Sequence, residues 1–431
     1  MYKPLVIYSA PVDTISGYGS RSRDLLKALL KVKGEEWDIR VLSQRWGNCP
    51  FGALDENDEE DKLILSKFIA PNLINKQPDI FIFVSVSDEF QPYGKVNIGI
   101  SALVETNILP SDMIEGLNRM TFNIVSSNHA KTIAENSLFD RFDKNTNQKV
   151  GNIKLEKPVH VLFEGVDTRI FYRKESKFDL SMVKESFAFL TVGHWLPGDL
   201  YEDRKQLTSL IKSFLEAFKN KKNTPALLLK TSLGGFSITE EEILLKKIDE
   251  IKKTVDTKVL PNIYLIHGEL TDEEMNDLYN HPKVAAFALT GNEGFGRPLL
   301  EFSAATGKPV ITGAWSGYTD FLDRELSVYV GGKIEKIHES ASNKFLLKES
   351  AWFKVDMKQL SMAFKDVHEN YKKYVDNGKK QGYRCKTQFS MDKMAENLKE
   401  ILDNNIPKMS VPVSLTLPKL KKIELPKAKN D

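Results

Sequence analysis

At 431 residues the chain is too long for one typical hydrophobic core and fits two domains of about 180 to 200 residues. Its 41% hydrophobic and 28% charged residues are those of a globular protein, and 61 Lys and Arg against 59 Asp and Glu leave a formal charge of +2, which argues neither for nor against a polyanionic partner. No run of about 18 apolar residues occurs, which excludes a spanning helix and leaves peripheral membrane contact open.

Met1 to Tyr8 is a short strand pattern without the apolar region of a signal peptide, and Cys49 and Cys385 are far apart, so the sequence predicts unpaired thiols and a cytoplasmic protein. Leu5 to Ser9 reads as a buried strand. The loop Ser16-Gly17-Tyr18-Gly19-Ser20 follows, then Leu25, Leu26, Leu29 and Leu30 at helical spacing. A strand, glycine loop and helix in that order present backbone N–H groups to an anion, and Gly17 and Gly19 would let the loop pack against a diphosphate. A plain tight turn explains the loop equally well. Arg21 and Arg23 are as readily solvated as bound to a ligand.

Trp37 to Ser43 gives the second strand. The acidic run Asp55 to Asp61 has no flanking apolar strand to hold a carboxylate pair on a divalent ion, so it reads as solvated surface, and no metal site is predicted. Asp79 to Val86 and Val96 to Val104 are two further strands. Glu105-Thr106-Asn107-Ile108-Leu109-Pro110 comes next, then a helix to about Met120, a strand from Phe122 to Ser127 and a helix from about Asn128. Glu105 thereby falls at a strand end, with a capping or salt-bridged role as the equal alternative. His129 reads as a surface or capping residue. Val159 to Phe163 leads into Glu164-Gly165-Val166-Asp167, where Val166 and Phe171 can pin a linker, and the polar run Lys174 to Lys177 puts the domain boundary near 172 to 185.

Phe187 to Gly193 is an apolar strand ending in glycine. Beyond it, Arg204 and Lys205 precede a helix through Leu207, Leu210, Ile211, Phe214 and Phe218. Two cations at a helix start oppose its dipole, and a bound diphosphate would account for them. Lys230, ending the strand that begins at Ala226, and Arg297 are further candidate cations. Asn262 to Gly268 is another strand, and Thr271 with Glu274 forms a capping box.

Ala285 to Leu289 suits a buried strand, Pro298 a first helical position, and Gly307 a helix stop before the strand Pro309 to Thr312. Between them, Gly294 and Gly296 allow close approach of an anion at the helix start. Glu293 and Glu301 would repel a phosphate directly, so they are read as accepting hydrogen bonds from hydroxyls on either side of it. A ligand with a central phosphate and hydroxyls at both ends is a sugar nucleotide. Val355 to Tyr374 and Ser390 to Leu402 have helical period, the latter with an apolar stripe at Met394, Leu398 and Leu402. Past Asn405 the chain is rich in Pro and Lys and reads as an extended tail, with Lys419, Lys421 and Lys422 solvated or touching an acidic partner.

The run Glu293-Gly294-Phe295-Gly296-Arg297-Pro298-Leu299-Leu300-Glu301 resembles the E-x7-E signature of retaining GT-B glycosyltransferases, particularly glycosyltransferase family 4. Gly165-Val166-Asp167 with Phe171, the capped segment from Thr271 to Tyr279, and Ala314 to Phe321 are similar to segments of the same family, as is Glu105 with its following Leu-Pro. The resemblance implies an α/β GT-B protein, with two Rossmann-like doubly wound domains facing a cleft and a C-terminal helix crossing back. The corresponding limits are 1–178 for the acceptor-side domain, 179–385 for the nucleotide-sugar domain, 386–405 for the returning helix and 406–431 for the tail. It further implies a retaining, metal-independent hexosyl- or pentosyltransferase that uses a UDP- or GDP-sugar and no cofactor.

By the same resemblance, Glu301 would hold the ribose and Glu293 the donor sugar hydroxyls, while Gly294, Phe295, Gly296 and the helix start take the phosphates. Lys205 with Arg204 would neutralise the leaving diphosphate, Glu105 would lie beside the reacting sugar, and Gly17 and Gly19 would approach the diphosphate from the opposite side. Many members have an arginine directly after the strand glycine; this chain has His194 and a longer insert, Trp195 to Asp203, so the second cation stays open among Arg204, Arg297 and Lys230. The hydroxyl acceptor is left as a glycan, protein, lipid, small metabolite or modified DNA base, the last implying salt-sensitive duplex binding. A GT-B sugar-nucleotide epimerase and a non-catalytic nucleotide-sugar binding module are the alternative readings.

Overall fold

A run of apolar residues buried on both sides makes a parallel strand covered by helices on each face. Strand β1, Leu5–Ala10, is such a run, and the helix α1, Gly17–Lys33, starts where the Ser16 hydroxyl accepts the Gly19 N–H at 2.9 Å. The computed structural model describes residues 2–143 and 145–408, so the predicted tail, with Lys419, Lys421 and Lys422, lies from residue 409 onward outside the described residues. After α1 come β2 (Asp38–Ser43), α2 (Glu59–Leu65), β3 (Ile80–Val84), β4 (Val96–Ser101), α3 (Ser111–Asn118), β5 (Phe122–Val125) and α4 (Asn128–Asn136). An antiparallel hairpin, β6 (Leu138–Phe142) and β7 (Lys149–Lys154), precedes β8 (Val159–Val161). The first sheet is parallel, in the order β2-β1-β3-β4-β5-β8.

The second half repeats the design. It runs through β9 (Ala188–Val192), α5 (Leu207–Phe218), β10 (Ala226–Lys230), α6 (Ile238–Lys253), β11 (Ile263–Ile266), α7 (Asp272–Asn280), β12 (Val284–Leu289), α8 (Arg297–Thr306), β13 (Val310–Gly313) and β14 (Val328–Val330). These strands form a parallel sheet in the order β11-β10-β9-β12-β13-β14. A hairpin of β15 (Gly332–Lys336) and β16 (Ala351–Val355) and the helices α9 (Met357–Glu369), α10 (Tyr371–Gln388) and α11 (Met391–Asn405) complete the chain. The helical period read from Val355 to Tyr374 is thus broken at Asn370, and α10 extends it through a polar stretch that carries two glycines.

Helix α11 returns to the first sheet. Met394, Leu398 and Leu402 share one core with Leu25, Leu29 and Ile98, and its entry is clamped where Val166 N–H donates to Phe389 O at 2.8 Å and Met391 N–H to Val166 O at 3.1 Å. Arg21 is neither solvated nor free for a ligand: its buried guanidinium donates to the carbonyls of Leu162 at 2.6 Å and Phe163 at 2.9 Å. The acidic run also does more than face solvent. Asp58 caps α2, and Glu60 pairs with Arg169 and with Lys27, the Arg169 hydrogen bonds first among the causes that hold its carboxyl down at about 2.

Candidate active site

Parallel sheets present their free strand ends and helix starts at the carboxyl edge, and here two such edges meet. The loop after β12 is held from several sides. Asn292 donates its backbone N–H to Arg204 O at 3.1 Å and its side-chain amide to Phe353 O at 3.1 Å, while Glu293 N–H donates to Ser316 Oγ at 2.6 Å. Gly296, at φ 100, is the N-cap of α8, a backbone conformation that favours glycine. At Gly294 a Cβ would stand 3.3 Å from Ala102 O at the end of β4, so the bare backbone lets this loop touch the first domain. Ser127 Oγ donates to Gly294 O at 2.7 Å, and Asn128 N–H donates to Asp320 Oδ2 at 2.8 Å, closing the same contact.

Two ion pairs lie beside this loop. Lys205 Nζ pairs with Glu293 Oε1, the side chains only 10% and 13% exposed. Arg204 Nη1 pairs with Glu105 Oε2, which joins the second domain to the first across the cleft; β4 stops at Ser101, so Glu105 lies in the loop beyond it and not at the predicted strand end. The two cations do not sit unopposed on the dipole of α5. Its N-cap, Gln206, has φ 52, and Asp203 accepts the Leu207 N–H at 2.8 Å, so the helix start has a carboxylate of its own while Arg204 and Lys205 turn to Glu105 and Glu293.

Glu301 lies farther along α8 with a different set of partners. Arg297 Nε donates to its Oε1 at 2.7 Å and Tyr279 OH to its Oε2 at 3.3 Å, and burial pushes the carboxyl up to about 7 against the pull of Arg297. Arg297 also reaches α1, its Nη1 lying 2.5 Å from Asp24 Oδ2. Burial works against that guanidinium, but Asp24, Glu301, Glu164 and Asp272 outweigh it and hold its pKa well above the ordinary value. Arg297 is therefore a second bridge between domains.

The remaining candidates divide. Lys230 donates to Gly268 O at 2.6 Å and lies 5.4 Å over the Phe236 ring, and burial pushes its pKa down. Gly19 is required by its own loop, since a Cβ would fall 2.0 Å from Thr14 O, whereas a Cβ on Gly17 would meet nothing within 4 Å. Phe295 is buried against Phe321, 5.0 Å between ring centres, so its side chain belongs to the core and only its backbone faces the loop.

Three residues stand out that sequence reasoning passed over or read differently. His194 bonds Ser232 Oγ at 2.9 Å, and its pKa is pushed down by burial and then by Lys205 and Lys230, with Arg204 and Glu293 also within electrostatic reach. His129 is not a capping residue: Ser127 caps α4, and His129 stands edge-on to Trp315 with ring centres 4.3 Å apart. Its Nε2 is buried without a hydrogen-bond partner, and burial, against the attraction of Glu105, pulls its pKa to about 4. Burial raises the pKa of Glu164, which lies between the charges of Arg21, Arg297, Asp24 and Glu293. Its sequence context, a turn after a strand, held no sign of that position.

Among the described residues, no group of three or more His, Cys, Asp or Glu is placed to hold a metal ion, and no helix is long and apolar enough to cross a membrane. Cys49 and Cys385 are both free thiols.

No protein-family model and no curated protein matches this sequence. Solved structures do match. Sucrose-phosphate synthase from Thermosynechococcus elongatus is similar with a TM-score of 0.60 at 12% identity, over 94% of this chain and 99% of that one. HepE from Anabaena, solved with UDP and glucose, is similar with a TM-score of 0.55 at 12% identity, over 93% of this chain and 100% of that one, and a further structure of it holds UDP-glucose. WaaG, a glycosyltransferase involved in lipopolysaccharide biosynthesis, is similar with a TM-score of 0.52 at 14% identity, over 92% of this chain and 99% of that one. At such identities the likeness is one of fold, and with two parallel six-stranded sheets meeting at their carboxyl edges the chain has the GT-B fold of these glycosyltransferases.

Proposed function

We propose that the protein transfers a sugar from a UDP- or GDP-sugar to a hydroxyl acceptor in the cleft between its two sheets. The observation that carries this reading is the buried Lys205–Glu293 pair at the Gly294–Gly296 turn, flanked by Arg204–Glu105 across the cleft. A buried ion pair adds little net stability, so charges collected at a sheet edge and a helix start are better explained by a charged substrate. The complexes of HepE with UDP and glucose and with UDP-glucose, on the same fold, point the same way.

In this reading the donor diphosphate lies at the start of α8, against the backbone of Gly294, Phe295 and Gly296. Glu293 accepts from the sugar hydroxyls and Glu301 from the ribose. As the bond from the anomeric carbon to the diphosphate oxygen breaks, the electron pair leaves with the diphosphate, and Lys205 and Arg204 neutralise it in place of a metal. The acceptor oxygen bonds to the same face of the sugar, with retention as in family 4, and its proton passes to the departing phosphate. Glu105 holds Arg204 until the donor arrives, and Gly17 and Gly19 admit the diphosphate from the first domain. The units are the acceptor-side domain 1–178, the donor domain 179–385 and the returning helix 386–405, in a cytoplasmic protein.

Thermal shift with a panel of UDP- and GDP-sugars, on wild type and on Glu293→Ala, tests the reading. At least one nucleotide sugar should raise the wild-type midpoint and fail to raise that of the variant, and transfer should survive EDTA. If no nucleotide sugar stabilises the wild type, the proposal fails. Isomerisation of a labelled donor without any acceptor would replace transfer by epimerisation.

A further inference from the structure

The two faces of the first sheet are covered unequally. One is closed by three helices, with Leu25, Leu29, Ile64, Met394 and Leu398 of α1, α2 and α11 in a single core. On the other, α3 and α4 bring Met113, Ile114, Leu117 and Ile133 onto Phe81, Phe83 and Phe90. Over β1 and β2 on that second face the lining comes from the stretch between α2 and β3 and from the loop after β3, which hold short 3-10 turns at Pro71–Leu73 and Ser87–Glu89.

These segments leave a cavity of about 420 Å³, within the usual range for small-molecule sites of roughly 300 to 1,000 Å³. Its wall is mainly apolar: Ile7, Leu42, Ile74, Phe81, Phe83 and Tyr93. Phe81 stands edge-on to both Phe83 and Tyr93, with ring centres 5.7 and 5.3 Å apart. Tyr93, 60% exposed, forms part of the rim, and the neighbouring Leu73 is 62% exposed.

Besides the exposed Gln91, the polar lining residues Ser9, Gln44 and Glu89 lie toward one end of the strands. Going toward the carboxyl edge, Ile7 gives way to Ser9 on β1 and Leu42 to Gln44 just past β2, and Gln44 Nε2 donates to Ser9 Oγ. Glu89 adds a carboxylate that accepts from Ser85 Oγ, past the end of β3. That edge is the cleft edge. At the end of β4, Ala102 meets the Gly294 loop, and β1 stands two strand spacings from β4, roughly 10 Å away.

We infer that this cavity seats the apolar part of the acceptor. The acceptor is then a small amphipathic alcohol: an alkyl chain or aromatic ring lies among Ile7, Ile74, Phe81 and Tyr93, and the hydroxyl-bearing end lies at Ser9, Gln44 and Glu89, facing the donor loop. The inference rests on the transferase reading above and names its acceptor class. It turns away from a duplex DNA acceptor, because a phosphate backbone gains nothing from an apolar slot with Glu89 at its polar end.

The test uses the full chain and octyl β-glucoside below its micellar concentration, with methyl β-glucoside as the short-chain control, by isothermal titration. Each buried methylene strengthens binding, so the octyl glycoside should bind at least ~10-fold more tightly than the methyl one. Ile74→Trp, which fills the cavity from its half-buried roof, should abolish that difference while the nucleotide-sugar thermal shift persists. Equal binding of the two glycosides by wild type overturns the inference, and so does a full octyl preference in a folded Ile74→Trp. Should Ile74→Trp not fold, wild type photolabelled with a diazirine-bearing octyl glucoside decides: label within residues 71–93 supports the site, and label confined elsewhere overturns it. Octyl binding and labelling there without any nucleotide-sugar binding would keep the cavity and sink the transferase reading, and the converse result would sink the cavity alone.

Discussion

Lys205→Met removes the cation of the Lys205–Glu293 pair while keeping much of the side chain's volume. Both side chains are close to nine-tenths covered, so the deletion strands the Glu293 carboxylate in a site that cannot rehydrate it fully. Stranding a buried charge in this way costs about 3 to 5 kcal/mol, against ~1 kcal/mol or less for an exposed pair. For a domain of this size that is a fall in midpoint of roughly 10 °C. Lys205→Met/Glu293→Gln neutralises both partners and should recover most of the loss, giving a coupling energy of about 2 kcal/mol or more in the cycle. Transfer behaves differently: under the proposed mechanism both variants lose the group assigned to the leaving diphosphate, and activity should fall by about 10²- to 10³-fold. Calorimetric midpoints and initial rates with the stabilising nucleotide sugar provide the two readouts. A double variant as unstable as Lys205→Met would show that packing rather than uncompensated charge sets the cost, and transfer that persisted in the double variant would refute the role of the pair.

Other expectations concern pH and the two interdomain devices. Glu301, with its carboxyl at about 7 against an ordinary 4.5, keeps its proton in the native state where the unfolded chain has lost it, so it lowers stability by about 3 kcal/mol as pH rises from 4.5 to 7. His129, at about 4 against 6.5, has the opposite sign: the unfolded chain binds the extra proton, and stability rises by about 3 kcal/mol as pH rises from 4 to 6.5. The two slopes oppose each other in wild type, so in urea midpoints measured across this range Glu301→Gln should steepen the rise and His129→Phe should expose the fall; unchanged slopes would refute both. Asp24→Asn removes a charged hydrogen bond across the cleft but leaves Arg297 its bond to Glu301, and should cost about 1.5 to 3 kcal/mol in urea unfolding. Unaltered stability would mean that the bridge is open in solution. Leu398→Ala, at a position 3% exposed under α1, should cost about 2 to 5 kcal/mol and bring forward proteolysis ahead of α11, whereas equal cleavage rates would show that the returning helix is not held by its apolar stripe.

How far the chain can be read without its structure depends on the range of each interaction. Gly307, at φ 61, ends α8, and the Thr271–Glu274 capping box opens α7, both as their local sequence predicts. Signals of this kind lie within one turn of chain. Past Tyr374 helix α10 carries no legible apolar period, because it is polar and contains Gly378 and Gly382, residues of low helix propensity. Their reason is tertiary: a Cβ on Gly378 would stand 2.6 Å from Gly307 O and one on Gly382 2.5 Å from Ser303 O, so the glycines let α10 lie close against α8.

The alternation of buried strands and amphipathic helices, the glycine turn between Glu293 and Glu301, and the apolar stripe of α11 are therefore legible in the chain alone, because burial period, caps and backbone freedom are short-range properties. The partners were chosen by the fold. Arg204 finds Glu105 across 99 positions and Arg297 finds Asp24 across 273, while Arg21 is spent on two carbonyls and Lys230 on Gly268. A charged side chain carries no record of its partner, which is set by the strand edges that face each other once both sheets are wound. The cavity over β1 and β2 follows the same rule, since its walls come from β1, β2, β3 and the loops on either side of β3, which only the winding of the sheet brings together.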